Sequence, residues 1–271
     1  MTITIGLVAN VFNEANALPG WLECHLPFFD DVRVLHAGPQ GAFSNDGTIE
    51  LLEKWRVPVV FGSIDDGFGA VRTKAIYSSS CDYVVILDAD ERFYRVHQEM
   101  VCEGESTPQA EVDWILQSYD FRGVNLPNWE NVAKLGDKLR VSFGDTYDQG
   151  RYLRWILENE RPDVVVSARR HWHDFSFRRP TQNWHTDPDW QMRIVRRSPD
   201  IYFAPETRMH ERLVGANRVF RADTTRGPFF DHFHFTFKHM EQRQRGHDLA
   251  TYDAIHLGKI PPTWEEYNAG R

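Results

Sequence analysis

Residues Cys81 to Arg95 read CDYVVILDADERFYR. Tyr83 to Leu87 form an apolar, β-branched run of strand length, the pattern of a strand buried on both faces. The run leads directly into Asp88, Ala89, Asp90 and Glu91, three carboxylates in four positions. Like charges this close repel one another. Either they are a solvated strand end, or a cation relieves the repulsion.

Working outward, strand and helix signals alternate through the first hundred residues. ITIGLVANV is an apolar strand that stops at Asn13-Glu14, and EANALPGWLECHLPFF has helical spacing at Leu18, Trp21, Leu22 and Leu26. VRVLHA is a second strand, followed by the polar loop GPQGAFSNDG. TIELLEKW is a short helix, VPVVFG a third strand, GAVRTKAIYSSS a helix and DYVVIL a fourth strand. The alternation predicts βαβ units, an α/β class with a mostly parallel sheet covered by helices. Open sheets of this kind bind ligands beyond the carboxyl ends of their strands, where Asp88 to Glu91 fall.

The rhythm breaks at about 105–162. There STPQAEVDWILQSYDF suits a helix or a strand, and NWENVAKLGDKLRVS and TYDQGRYLRWILENE look helical. This predicts a mainly helical insertion. Strand character returns with PDVVVSARRHW, WQMRIVRR, IYFAP and GPFFDHFHF. A polar helix, KHMEQRQRGHDLATYDAIHLG, and a tail follow. The divisions expected are 1–104, 105–162, 163–240 and 241–271.

Composition narrows the class. The 271 residues are 41% hydrophobic and 26% charged, which is ordinary globular usage, and no apolar run reaches membrane-spanning length. The first residues read as a strand and not as a signal peptide. Cys24, Cys81 and Cys102 are too scattered for a disulfide framework or a zinc pattern, so a reduced, cytoplasmic setting is expected. The net charge of −8 is uneven. Residues 1–150 carry 11 Lys and Arg against 23 Asp and Glu, a net of −12, whereas 151–226 carry 15 Arg, no Lys and 10 acids, a net of +5. Arginine without lysine suits bidentate contacts to phosphate or carboxylate; internal pairing with the acidic first half is the plainer reading and the preferred one.

No Gly-x-Gly-x-x-Gly follows the first strand and no Walker loop occurs, which argues against dinucleotide and P-loop sites. VFNEANAL stands where an activated-sugar nucleotidyltransferase needs a Gly- and Lys-rich loop. Asp-Ala-Asp at the ligand edge of a sheet suits Mg²⁺ or Mn²⁺, which takes one or two carboxylates and fills its remaining positions with phosphate oxygens and water.

An ordered series of soft motifs is now in view: NVFNEA, SNDGT, GAVRTKAI, VVILDADE, DWQMRIVRR, ETRMHERL and DHFHF. Together they resemble the GT-A-fold glycosyltransferases, close to the inverting family 2 group, over about two thirds of the chain. The 105–162 insertion lies outside the likeness. The resemblance implies a metal-dependent enzyme moving a sugar from a UDP- or GDP-sugar to an acceptor hydroxyl. It places Asn13, Glu14, Asp46, Arg72 and Asp88 on the nucleotide sugar. It makes Asp88, Asp90, His232 and His234 metal contacts. It matches His210-Glu211 to a His-Glu pair, with Glu211 the first choice and Asp189 the second for the base that deprotonates the acceptor. Two departures stand out. VLHAG lacks the Asp expected near the end of the second strand, and Thr73 replaces an Asn after Arg72.

Each residue also has a plainer reading. Asn13-Glu14 suits a helix cap, Asp46-Gly47 a turn, and Asp189 a strand start bonded to backbone. His232 and His234 share one strand face, where structural histidines are common. The acceptor expected is a saccharide or lipid-linked saccharide. Modified DNA is the rival, drawn by the arginines and by the aromatic-basic stretch WHDFSFRRPTQNWH. A non-catalytic nucleotide-sugar-binding protein is the alternative from another class.

Overall fold

The computed structural model describes residues 2–15, 17–102, 141–172, 189–205, 212–222 and 227–233. Along the chain these form β1 (Ile5–Val11), α1 (Leu18–His25), β2 (Asp31–Gly38), α2 (Thr48–Trp55), β3 (Val59–Ser63), α3 (Phe68–Ser78), β4 (Tyr83–Asp88), β5 (Glu91–Arg92), β6 (Val96–Cys102), β7 (Val141–Asp148), α4 (Gln149–Asn159), β8 (Val164–Trp172), β9 (Asp189–Arg196), β10 (Tyr202–Phe203), β11 (Leu213–Val214), β12 (Val219–Arg221) and β13 (Phe229–Phe233).

A nine-stranded sheet in the order β3-β2-β1-β4-β9-β8-β13-β5, with β12 also on β8, forms the centre. β1, β2, β3 and β4 run parallel, β9 is antiparallel to both β4 and β8, and β13 is parallel to β8. The expected α/β class with a mostly parallel sheet flanked by helices is what the chain adopts. Alternation along the central strands feeds two cores. On one face Leu7, Ala9, Val85 and Leu87 pack with Leu18, Trp21 and Leu22 of α1 and with Leu153, Ile156 and Leu157 of α4. On the other face Val8, Val84 and Ile86 pack with Val71, Ala75 and Ile76 of α3. Asp88 continues the Val84–Ile86 side of its strand, and the helix over that side is α3. Among the described residues no helix is long and apolar enough to cross a membrane.

The stretch expected as a helical insertion is mixed where it is described. α4 is a helix as read, begun by the Asp148 side chain accepting from the Arg151 N–H at 2.8 Å. Val141–Asp148, whose two ends fall in stretches read as helical, is instead β7, antiparallel to β6. Its Val, Phe, Thr and Tyr have strand propensity, which outweighed the helical look of the flanking residues. The segment STPQAEVDWILQSYDF, most of NWENVAKLGDKLRVS and the C-terminal helix and tail lie outside the described residues.

One buried histidine ties the two halves of this frame. His25, at the end of α1, is fully buried, and its Nε2 accepts the Phe93 N–H at 2.9 Å, so its proton sits on Nδ1. The Trp21 ring stands edge-on, 4.7 Å between centroids. Burial, helped by the nearby Arg92 charge, lowers the His25 pKa well below its ordinary value. The unfolded chain takes up this proton near pH 6.5, whereas the folded chain resists it. Stability from His25 is therefore full above about pH 6.5 and falls below it, by up to about 1.4 kcal/mol per pH unit. Urea unfolding at pH 7.5 and 5.5 should record the loss. His25→Gln should start less stable at pH 7.5 and lose less on acidification.

Candidate functional site at the carboxyl edge of the sheet

The ends of β1, β2 and β4 meet at one edge, since Asn10 pairs with Asp88 and Val11 with His36. Asp88 is the last residue of β4. Arg72, one turn into α3, clamps it with two contacts, Nη1 to Oδ1 at 3.0 Å and Nη2 to Oδ2 at 3.1 Å. A second guanidinium reaches Asp88 from the far side. Val165 pairs with Ile194 and Val166 with Met192, which leaves Arg193 as an extra residue in β9. The pairing of β4 with β9 also stops at Ile194. A β-bulge at such a point re-aims a side chain. Arg193 Nη2 touches Asp88 Oδ2 at 3.1 Å and Glu91 Oε1 at 3.0 Å.

Glu91 is completely buried. Its Oε2 accepts the Asp88 N–H at 2.9 Å, closing the acidic turn, and its Oε1 also takes Arg169 Nη1 at 3.1 Å. Arg169 Nε in turn meets Asp189 Oδ2 at 2.7 Å, and Gln191 Nε2 donates to Asp189 Oδ1 at 2.6 Å. The result is a continuous row, Arg72, Asp88, Arg193, Glu91, Arg169, Asp189, with three positive and three negative charges. Burial pushes the Asp88 pKa up, but Arg72 and Arg193 outweigh it and hold the carboxyl well below the usual range. Arg92, also buried, braces the turn from below by donating to the carbonyls of Ala89 at 2.6 Å, Glu91 at 3.0 Å and Ala17 at 3.2 Å.

Asp90 belongs to the same turn. Its Oδ2 is 3.4 Å from His232 Nε2, with 18% and 9% of the two side chains exposed. β13 pairs with β5, which sets His232 opposite Glu91 and beside Asp90. Burial lowers the His232 pKa against the opposing pull of Asp90, which keeps the imidazole neutral, the form that binds metals. A carboxylate oxygen and an imidazole nitrogen are a donor set that Mn²⁺ accepts. Among the described residues the donors form this pair and no cluster of three.

Asn13, Glu14 and Asp46 come together at the same edge, and they knit two loops. The Asn13 N–H donates to Ser44 Oγ at 2.9 Å, and its Oδ1 accepts the Asn45 N–H at 3.0 Å. The Glu14 N–H donates to Thr48 Oγ1 at 2.9 Å. Asp46 accepts the N–H groups of Ala15 at 2.9 Å and Thr48 at 3.0 Å. Burial raises the Asp46 pKa, and the Thr48 hydroxyl and the backbone N–H groups more than reverse that. His36 occupies the strand end where an Asp was expected, buried and bonded through Nε2 to Ser44 at 3.0 Å. Phe12 packs so close over Gly38 that a Cβ there would meet its ring at 2.2 Å. Thr73, the departure after Arg72, bonds the backbone of Phe203, accepting its N–H at 2.9 Å and donating to its carbonyl at 3.1 Å. Glu211, His210, His234 and, after Trp172, the rest of the WHDFSFRRPTQNWH stretch lie outside the described residues.

Glu91, Arg92, Arg169 and Arg193 were not among the residues expected here. The excess of arginine over lysine in 151–226 was the signal for Arg169 and Arg193. Arg169, Arg193 and Arg196 pair internally with Glu91, Asp189, Asp88 and Asp163, and Arg221 stacks on Trp190 at 3.9 Å.

No family model matches the chain, and no curated protein matches it in sequence. Among solved structures it is similar to S. aureus TarS 1–349 in complex with UDP, at 12% identity and a TM-score of 0.45. That match covers 85% of this chain and 60% of that one. The same protein in complex with UDP-GlcNAc gives 12% identity, a TM-score of 0.46 and 88% and 61% coverage. Glucosyl-3-phosphoglycerate synthase from Mycobacterium tuberculosis, in complex with Mn²⁺, UDP and phosphoglyceric acid, gives 20% identity, a TM-score of 0.29 and 42% and 38% coverage. The chain thus spans about 60% of the length of the TarS structures. These are likenesses of overall shape, and no residue role is carried across from them.

Removing one partner from a buried charge row strands the others. Glu91→Ala should cost about 3–5 kcal/mol in urea unfolding.

Proposed function

We propose that the chain is a metal-dependent, inverting glycosyltransferase of the GT-A type, taking a UDP- or GDP-sugar as donor. The observation that carries this reading is the Asp90–His232 donor pair beside the Arg72–Asp88 clamp, at the carboxyl edge of the parallel strands. The ordered motif series from NVFNEA to DHFHF supports it independently.

Asp90 and His232 would hold Mn²⁺ or Mg²⁺, with His234 the further candidate. When bound, the ion supplies charge stabilisation for the departing nucleoside diphosphate. Arg72, near the start of α3, would donate to the same diphosphate. Asn13, Glu14 and Asp46 build the loop pair on which base and ribose would rest. The acceptor hydroxyl must give up a proton to a carboxylate. Both oxygens of Asp189 already accept N–H donors, so taking up a proton would disturb its contacts with Arg169 and Gln191. Glu211 is therefore the preferred base and Asp189 the second. For the acceptor, a saccharide or lipid-linked saccharide is favoured over modified DNA, because Arg169, Arg193 and Arg196 of the basic stretch are drawn into internal pairs.

Purified protein with Mn²⁺ should turn over one member of a panel of UDP- and GDP-sugars. Asp90→Ala should lower that turnover at least about 100-fold and weaken metal-assisted nucleotide binding. Glu211→Gln should lower kcat by roughly 10²–10⁴ while leaving nucleotide binding in place. Unchanged turnover in Asp90→Ala would remove the metal assignment.

A further inference from the structure

Arg221 of the basic stretch is held by a ring and not by a carboxylate. It ends β12, opposite Val166 of β8. On the other side of β8, Trp190 of β9 stands opposite Ala168. The Arg221 side chain therefore crosses β8 to reach the indole, its Cζ 3.9 Å from the ring centroid. The backbone beside it is fixed, since the Ala222 N–H donates to the Val166 carbonyl at 2.8 Å. Among the described residues Arg221 has no carboxylate partner, whereas Arg169, Arg193 and Arg196 each have one. Trp190 directly follows Asp189, the last acid of the charge row, and alternation along β9 puts Trp190 and Met192 on one side of the sheet. Met192 packs against the core that holds Val84 and Ile86, so this is also the side on which Asp88 stands. Trp190, Met192 and Val166, all half-buried, form an apolar floor with the exposed Arg221 guanidinium at its rim.

A guanidinium stacked on a ring keeps its five N–H donors, which point outward in its own plane. The stack uses none of them, and it removes rotamer freedom that an unsupported surface arginine would lose on binding. The result is a preset fork for an oxyanion. We propose that Arg221, stacked on Trp190, binds a phosphate or carboxylate group carried by the acceptor saccharide, with the apolar floor packing against the sugar. The inference rests on the transferase reading in calling that ligand the acceptor. Arg72 lies over β1 and β4, whereas Arg221 and Trp190 lie over β8 and β9, which leaves separate places for the donor diphosphate and for a second ligand. A sugar-borne anion is favoured over nucleic acid because a phosphate backbone is gripped by several free cations at once, and the neighbouring Arg169, Arg193 and Arg196 are engaged by carboxylates.

The test is calorimetric titration of wild type and Arg221→Gln with glucose 6-phosphate, glucuronate and methyl glucoside, which differ in charge. The expected result is that a charged sugar binds wild type at least about tenfold tighter than the neutral one, and that Arg221→Gln removes this advantage. Trp190→Leu, which keeps the arginine and loses the ring, should weaken the charged sugar about two- to fivefold. Arg221 is exposed, so Arg221→Gln should keep the wild-type melting temperature, and it should bind UDP and GDP with Mn²⁺ as wild type does. A preferred phosphate or a preferred carboxylate identifies the group on the acceptor. Equal binding of charged and neutral sugars by wild type overturns the proposal, and so does an undiminished preference in Arg221→Gln. A loss of UDP or GDP binding in Arg221→Gln also overturns it, because the guanidinium would then serve the donor. Short duplex DNA is the fourth titrant. If only the duplex binds, with a salt dependence that Arg221→Gln reduces, the surface belongs to nucleic acid and the proposal falls. If neither nucleotide binds wild type while the charged-sugar preference still depends on Arg221, the transferase reading fails and the anion site stands.

Discussion

The Glu91 carboxylate is buried without solvent exposure, and the local structure depends on how that charge is satisfied. Taking an ion out of water costs several kcal/mol unless partners replace the lost hydration. Glu91 has three partners: the Asp88 N–H, Arg193 and Arg169. The first closes the turn that follows β4. The other two come from β9 and β8, so one carboxylate joins the parallel half of the sheet to its antiparallel continuation. Arg92 and His25 support the turn from the other side, through carbonyls and the Phe93 N–H. The acids at the strand end can crowd together because this scaffold supplies opposite charges to two of them.

The same arrangement separates structural charge from chemical charge. Asp88, Glu91 and Asp189 are balanced by Arg72, Arg193 and Arg169. Asp90 stands beside the His232 imidazole, its Oδ2 3.4 Å from Nε2. On this view the three acids are not equivalent ligands. Two hold the third in place.

Several features were legible in the sequence because they depend on local pattern. The strand VVIL, the helix over Val71, Ala75 and Ile76, and the placement of Asp88 at the ligand edge follow from periodicity and from the rule for parallel sheets. The partners of the acids were not legible, because Arg193 lies 105 residues beyond Asp88 and owes its aim to a register shift with no sequence signature. Glu91 was visible as a third acid, but its burial depends on β13 and β8 arriving beside it. β7 was read as helix because its strand partner, β6, is distant in sequence. Asn13 and Asp46 were seen as ligand contacts, whereas their described bonds tie one loop to another.

The central claim is that a nucleotide sugar and a divalent cation bind this edge together. Thermal unfolding of the wild-type chain against a panel of UDP- and GDP-sugars, with and without Mn²⁺, addresses it most directly. A ligand that binds the native state raises the melting temperature by mass action. The account predicts that one nucleotide sugar raises it clearly with Mn²⁺ present and much less with Mn²⁺ chelated. A panel that leaves the melting temperature unmoved, or a shift of equal size without the metal, would contradict it.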